Sequence, residues 1–217
     1  MSALFVTGAG TEIGKTYVSC AVLQAWRTQG AAVSALKPIV SGYDIANIEE
    51  SDPALLLAAQ GQSPTTERIA AIAPWRFKAP LAPPLAARAE NAIIAFEEVV
   101  EFCSAQMRAT QGALLIEGAG GVMAPLTDAH TNLELIVELA IPVLFVAGSY
   151  LGAVSHALTG LEALRTRGAK VAAIIVSESH ESVGLGDTCG MIETHAHAPI
   201  IAAARGETAW ASRIAPP

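Results

Sequence analysis

Nine consecutive residues, Gly8-Ala9-Gly10-Thr11-Glu12-Ile13-Gly14-Lys15-Thr16, have the types and spacing that hold a triphosphate. Glycines let a backbone turn tightly enough for several N–H groups to face one anion, and the positive end of a following helix adds to the attraction. Lys15 is placed to bridge the β- and γ-phosphates as a point charge, and the Thr16 hydroxyl to ligate Mg²⁺. The usual spacing of glycine, four residues and Gly-Lys-Thr puts a glycine at position 9. Here Ala9 stands there and Gly8 precedes it, so the loop is one residue longer on that count.

A metal in such a loop needs a carboxylate, usually at the end of a neighbouring strand. Glu117 ends a strand-like run over residues 113–116 and is followed by Gly118-Ala119-Gly120-Gly121, which lets backbone approach phosphate or substrate closely. Asp52, in Ser51-Asp52-Pro53, is the second candidate; it also suits the cap of a helix beginning at Pro53, and the two roles are compatible. His195 and His197 are two apart, which points them to different faces of a helix, so they are not read as a zinc pair. Cys20, Cys103 and Cys189 form no Cys-x-x-Cys pair and read as small buried hydrophobes.

The elements that must position these groups follow from pattern. Short β-branched runs at 4–7, 32–36, 113–117, 143–147 and 171–176 alternate with helical stretches such as 15–28. Alternation of this kind predicts an α/β P-loop NTPase-like fold with a mostly parallel central sheet and helices on both faces. Ligands of such sheets gather at the carboxyl ends of strands, where Gly8, Lys37, Glu117 and Gly148 fall. Residues 41–85 read as a long crossover carrying loops over the site, with a short helix at 53–59. A helix is expected over 93–111, with Ile93, Phe96, Val100 and Met107 at core spacing.

Composition bounds the answer. At 217 residues, the chain suits one domain over 1–217. Apolar residues make up 52% and charged residues 15%, against a usual charged share of about a quarter, which fits strands covered on both faces. The formal charge is −7 and the 13 Lys and Arg are scattered, so no nucleic-acid partner is expected. The first residues run straight into a strand pattern without a signal peptide, and no apolar run approaches the roughly 18 residues of a membrane span. A cytoplasmic protein without membrane contact is expected.

Taken together, these blocks resemble the dethiobiotin synthetase family. The resemblance rests on Val6-Thr7-Gly8 leading to Gly14-Lys15-Thr16, on Lys37-Pro38-Ile39-Val40-Ser41-Gly42, on Ser51-Asp52, on Pro80 and Pro83, on Glu117-Gly118-Ala119-Gly120-Gly121 with Pro125-Leu126-Thr127-Asp128, and on Leu151-Gly152 with His156. It implies a Mg²⁺-dependent reaction of 7,8-diaminononanoate, CO2 and ATP giving dethiobiotin, ADP and phosphate, through a carbamate and a carbamic-phosphoric anhydride. By that resemblance Lys15, Lys37 and Thr11 are catalytic, and Thr11, Lys37, Ser41 and Gly118 meet the substrate. Thr16, Asp52 and Glu117 are the metal ligands. Glu12, Ile13, Gly14, Lys15, Thr16, Tyr17, Asp52, Glu117, Gly118, Ala119, Gly120 and Ser177 surround the nucleotide. The family's homodimer implies that Gly152, Ala153, Val154 and Ser155, at a helix start, hold the substrate carboxylate across the subunit interface.

The chain also departs from the family pattern. Gly10 stands where Asp is frequent, Ser177-Glu178 where an Asn usually meets the adenine edge, and Ile201-Ala202-Ala203-Ala204 where Gly-x-Ile-Pro is common. Two other P-loop readings compete. A cobyrinate amidase-type synthetase would carry a further glutamine-hydrolysing domain, and a partitioning ATPase would carry an extra lysine early in the loop and basic or amphipathic surface.

Overall fold

The computed structural model describes residues 3–217; Met1 and Ser2, which begin the stretch read above as carrying no signal peptide, lie outside it. The strands are β1 (Ala3–Gly8), β2 (Val33–Leu36), β3 (Ile39–Ser41), β4 (Trp75–Phe77), β5 (Ala113–Glu117), β6 (Val143–Ala147), β7 (Val171–Ser177) and β8 (Ile200–Ala203). The helices are α1 (Lys15–Thr28), α2 (Asp52–Ala59), α3 (Thr66–Ile72), α4 (Pro83–Ala89), α5 (Phe96–Ala109), α6 (Asn132–Leu139), α7 (Ala153–Thr166) and α8 (Leu185–Ala196). Two 3-10 segments, Ile45–Glu50 and Ala209–Arg213, complete the set.

Six strands form one parallel sheet in the order β2-β5-β1-β6-β7-β8. Alternate side chains feed two separate cores. Phe5, Leu114, Ile116, Val143 and Phe145 pack against α5, α6, α7 and α8. Leu4, Val6, Leu115, Leu144 and Val146 pack against α1, α2 and the C-terminal 3-10 segment. Both faces being covered is why these strands read as continuous apolar runs. After β1 the chain builds outward to β2 and returns through β5, then crosses to β6 on the other side. The strand order therefore reverses at β1, and a crevice opens at its carboxyl end.

The structure corrects two sequence expectations. The 41–85 segment carries its own elements, with β3 and β4 forming a two-stranded parallel sheet beside α2, α3 and α4. Val40, Tyr43, Leu57 and Ile69 make a third small core there. Apart from α2, which matches the helix expected at 53–59, each element is too short to show a period, so the rest of the segment reads as loop. Ile93 lies ahead of α5 and is 89% exposed, while the helix buries Phe96, Val99 and Cys103 and leaves Val100 and Met107 only partly covered. The true core face follows a three-then-four spacing from Phe96.

Helix α6 opens on a capping box. The Thr131 N–H donates to Glu134 Oε2 at 2.8 Å, and the Thr131 hydroxyl accepts from Leu133 N at 3.2 Å and donates to Glu134 Oε2 at 2.6 Å. That hydroxyl, with burial opposing it, holds the Glu134 carboxyl down at about 2. A lowered folded value gives stability that is complete above the ordinary carboxylate range and lost as pH falls toward that value. Thr131→Ala is expected to cost about 1 kcal/mol in urea unfolding at neutral pH. The cost should shrink on acidification; a penalty independent of pH would separate Thr131 from the Glu134 charge.

Candidate functional site

At the crevice, β1 ends on Gly8, whose carbonyl accepts from Val122 N at 2.9 Å, and Ala9 N donates to Val146 O at 2.8 Å. The loop is thus tied to the segment after β5 and to β6 itself. Glycine is needed at 8 because a Cβ there would sit 2.9 Å from Val146 O and collide with the Ile13 side chain. This close approach, rather than the position of glycine in the usual motif, sets the chain's spacing. Gly14, at φ 91°, is the left-handed N-cap of α1, and a Cβ on it would lie 2.5 Å from Ser177 Oγ. Lys15 and Thr16 therefore open the helix with the loop amides in front of them.

Four functional side chains converge from four parts of the chain. Thr16 Oγ1 is 2.8 Å from Asp52 Oδ1 and 2.9 Å from Glu117 Oε1. Lys37 Nζ is 2.8 Å from Asp52 Oδ2 and 2.5 Å from Glu117 Oε1. Thr16 comes from α1, Lys37 from the step between β2 and β3, Asp52 from the start of α2 and Glu117 from the end of β5. Lys15 folds back so that its ammonium donates to Gly10 O at 2.9 Å.

The electrostatics follow from burial. Desolvation and then the Lys37 charge push Lys15 down to about 8. Burial alone would lower Lys37 too, but Glu117 and Asp52 outweigh it and raise its value, so it stays charged. Burial works against the Asp52 charge, and Lys37 and the Thr16 hydroxyl overcome it, leaving that carboxyl below its ordinary value. Glu117 is fully buried, and its Oε2 has no hydrogen-bond partner. A hydroxyl and two carboxylates are the hard oxygen donors Mg²⁺ takes, and the orphaned Oε2 is costly to leave unpaired, so the donor set fits a divalent cation.

Two cavities share the loop. One, of about 660 Å³, is lined by Thr11, Glu12, Lys15, Thr16, Lys37, Ser41 and Asp52, with Ala119, Gly120 and the Pro80–Pro83 turn completing the wall. Ser41 Oγ is buried there without a partner. The other, of about 650 Å³, brings Ser177 together with Glu12, Ile13, Gly14 and Tyr17. Tyr150, Ser179 and Arg205 of this wall escaped sequence reasoning, for they lie on loops far apart in the chain, joined by hydrogen bonds such as Ser149 N to Ser179 Oγ at 2.9 Å.

Gly118 is not brought to either large cavity. Its N–H donates to Val6 O at 3.0 Å, and a Cβ would meet Asn132 Oδ1 at 2.8 Å, so it faces the core. Asn132 was also missed: its buried amide donates to Ala119 O and, at 2.8 Å, to Gly121 O, which fixes the glycine-rich turn. The signal was its place after Thr131 at a helix start, ordinarily read as capping alone. Gly152, Ala153, Val154 and Ser155 form the start of α7, with Gly152 at φ 94°, and line neither cavity of their own chain.

Comparison with known proteins agrees with this geometry. A family model described as an AAA domain matches residues 2–205. The chain is 47% identical over 217 residues to the ATP-dependent dethiobiotin synthetase BioD of Caulobacter sp. (strain K31), covering 99% of this chain and 93% of that protein. It is 46% identical to the BioD of Caulobacter vibrioides (strain NA1000 / CB15N), covering 97% and 95%. Among solved structures, a chain of the MinC:MinD cell division protein complex of Aquifex aeolicus superposes with a TM-score of 0.55 at 12% identity, covering all of this chain and 87% of that one. At that identity the likeness shows a shared fold and nothing further.

Proposed function

The chain belongs to the ATP-dependent dethiobiotin synthetase family, a family of C–N ligases of biotin biosynthesis, and from that membership we propose that it closes the ureido ring of dethiobiotin from 7,8-diaminononanoate, CO2 and ATP. The observation that carries this reading is the convergence of Lys37, Thr16, Asp52 and Glu117 beside a phosphate loop.

One substrate amine adds to CO2 and loses a proton, giving a carbamate. A carbamate oxygen attacks the γ-phosphorus and ADP leaves. The second amine attacks the carbonyl carbon of the resulting anhydride, phosphate leaves, and the ring closes. No protein nucleophile takes part, so the residues position and neutralise. Lys15 and Lys37 draw two anionic reactants together, and the unpartnered Ser41 hydroxyl with Thr11 orients the carbamate and amines. The amides of Gly14, Lys15 and Thr16 hold phosphate, with Glu12, Tyr17, Ala119 and Gly120 around it. Thr16, Asp52 and Glu117 would hold Mg²⁺, which neutralises phosphate charge when bound.

We further read the enzyme as one domain working as a homodimer. Gly152–Ser155 lie outside the chain's own cavities, which leaves them to a partner's substrate, and the N–H groups of Val154 and Ser155 suit a carboxylate, that of Ala153 being held by Tyr150 O. We place it in the cytoplasm; no described helix is long and apolar enough to cross a membrane. Incubating the protein with diaminononanoate, bicarbonate, Mg²⁺ and ATP should release phosphate and dethiobiotin in equal amounts. Phosphate without dethiobiotin, or neither product, would overturn the reading.

A further inference from the structure

A triphosphate seated on Gly14, Lys15 and Thr16 with its γ-phosphate toward Lys37 directs its nucleoside away from the Lys37 cavity. The cavity on the other side of Gly14, beyond the end of β7, receives it. Several polar groups of that cavity are already engaged. Glu178 N donates to Ala203 O at 2.9 Å, Ser179 N to Ser149 Oγ at 2.9 Å, and Arg205 N to Glu178 Oε2 at 2.9 Å. The Tyr17 hydroxyl donates to Ala204 O at 3.0 Å, and the Tyr150 hydroxyl pairs with His156 Nδ1 at 2.8 Å. Among the described residues no Asn or Gln lines the cavity, and the polar side chain at the end of β7 is the Ser177 hydroxyl.

We propose that this enzyme recognises its nucleotide through the phosphates and reads the base weakly, so that CTP, GTP and UTP replace ATP as phosphoryl donors; this rests on the function proposed above. A site rejects an analogue strongly only when the wrong partner leaves the site's own buried polar groups unpaired. A side-chain amide presents a fixed donor and acceptor and so commits to one base edge. A hydroxyl does not. Ser177 Oγ turns to accept from the exocyclic amino group of adenine or cytosine, or to donate to the carbonyl of guanine or uracil, and neither choice strands a donor. Of the backbone amides along this wall, those of Glu178, Ser179 and Arg205 are held by Ala203, Ser149 and Glu178.

The test is kcat/KM for dethiobiotin formation with each of the four triphosphates under one set of conditions. Values within about tenfold of one another are expected, the range left when no paired polar contact is at stake. A wider preference for ATP would overturn the inference while leaving the proposed reaction standing. Failure of all four would instead sink the proposed reaction. Ser177→Asn should supply a committed edge and raise the ratio of ATP to GTP turnover at least about tenfold, the discrimination expected of a paired contact to adenine. An unchanged ratio, with ATP turnover intact, would show that the base does not meet Ser177.

Discussion

Lys37→Gln is expected to lower kcat for ring closure by about 10²–10³-fold, the loss typical of removing one preorganised charge-stabilising group, while nucleotide affinity measured calorimetrically changes little. The reasoning starts from where the ammonium lies. Lys37 is 4% exposed and held between Asp52 and Glu117, whereas the Lys15 ammonium lies over the loop, donating to Gly10 O. A group that acts when the carbamate approaches the γ-phosphate contributes to the transition state more than to the bound nucleotide, so kcat should fall more than affinity. Glutamine keeps a donor for the two carboxylates but no charge, which separates neutralisation from hydrogen bonding. Breaking a buried pair can also destabilise a fold by about 3–5 kcal/mol. Thermal unfolding with and without Mg²⁺ is therefore measured alongside, and added cation should recover most of any loss. Dethiobiotin formation at the parent rate by a folded Lys37→Gln protein would remove Lys37 from the reaction.

Why the site could be read from sequence at all is a matter of local rules. Phosphate cradles are contiguous, so Gly8 to Thr16 declares itself, and strand ends are declared by the apolar runs before them, as at Glu117. Lys37 and Asp52 stand 15 residues apart in sequence, and their meeting depends on α2 packing against α1 and on the β2-to-β3 step. No pattern in the chain states that contact: the sequence names Asp52 as a carboxylate for the metal and Lys37 at a strand end, each by itself. Asn132 was illegible for a different reason. Its function is to hold carbonyls of the glycine turn, and side-chain-to-backbone bonds over 11 to 13 residues leave no periodic trace. Gly118 shows a second reason for a glycine in a glycine-rich turn, since its missing Cβ makes room for Asn132 and Phe5.

Glu117→Gln should raise the Mg²⁺ concentration needed for half-maximal activity at least about tenfold, for even the outer partners of a metal site are worth ~10–100-fold. Glu117 is the one member of the cluster that is fully buried, and its Oε1 already meets both Thr16 and Lys37 while Oε2 has no partner. The buried carboxylate is paired with the Lys37 ammonium. The amide is nearly isosteric, so packing against the strand should survive, but it brings no negative charge and turns one oxygen into a donor facing Lys37 or the metal. The two substitutions therefore pull the cluster in opposite directions. Lys37→Gln leaves the carboxylates over-supplied with negative charge and should tighten divalent-cation binding in the absence of nucleotide, whereas Glu117→Gln should weaken it. Mn²⁺ titrations followed by electron paramagnetic resonance would show that opposition directly, and shifts of the same sign in both variants would rule out a common site made by Thr16, Asp52 and Glu117.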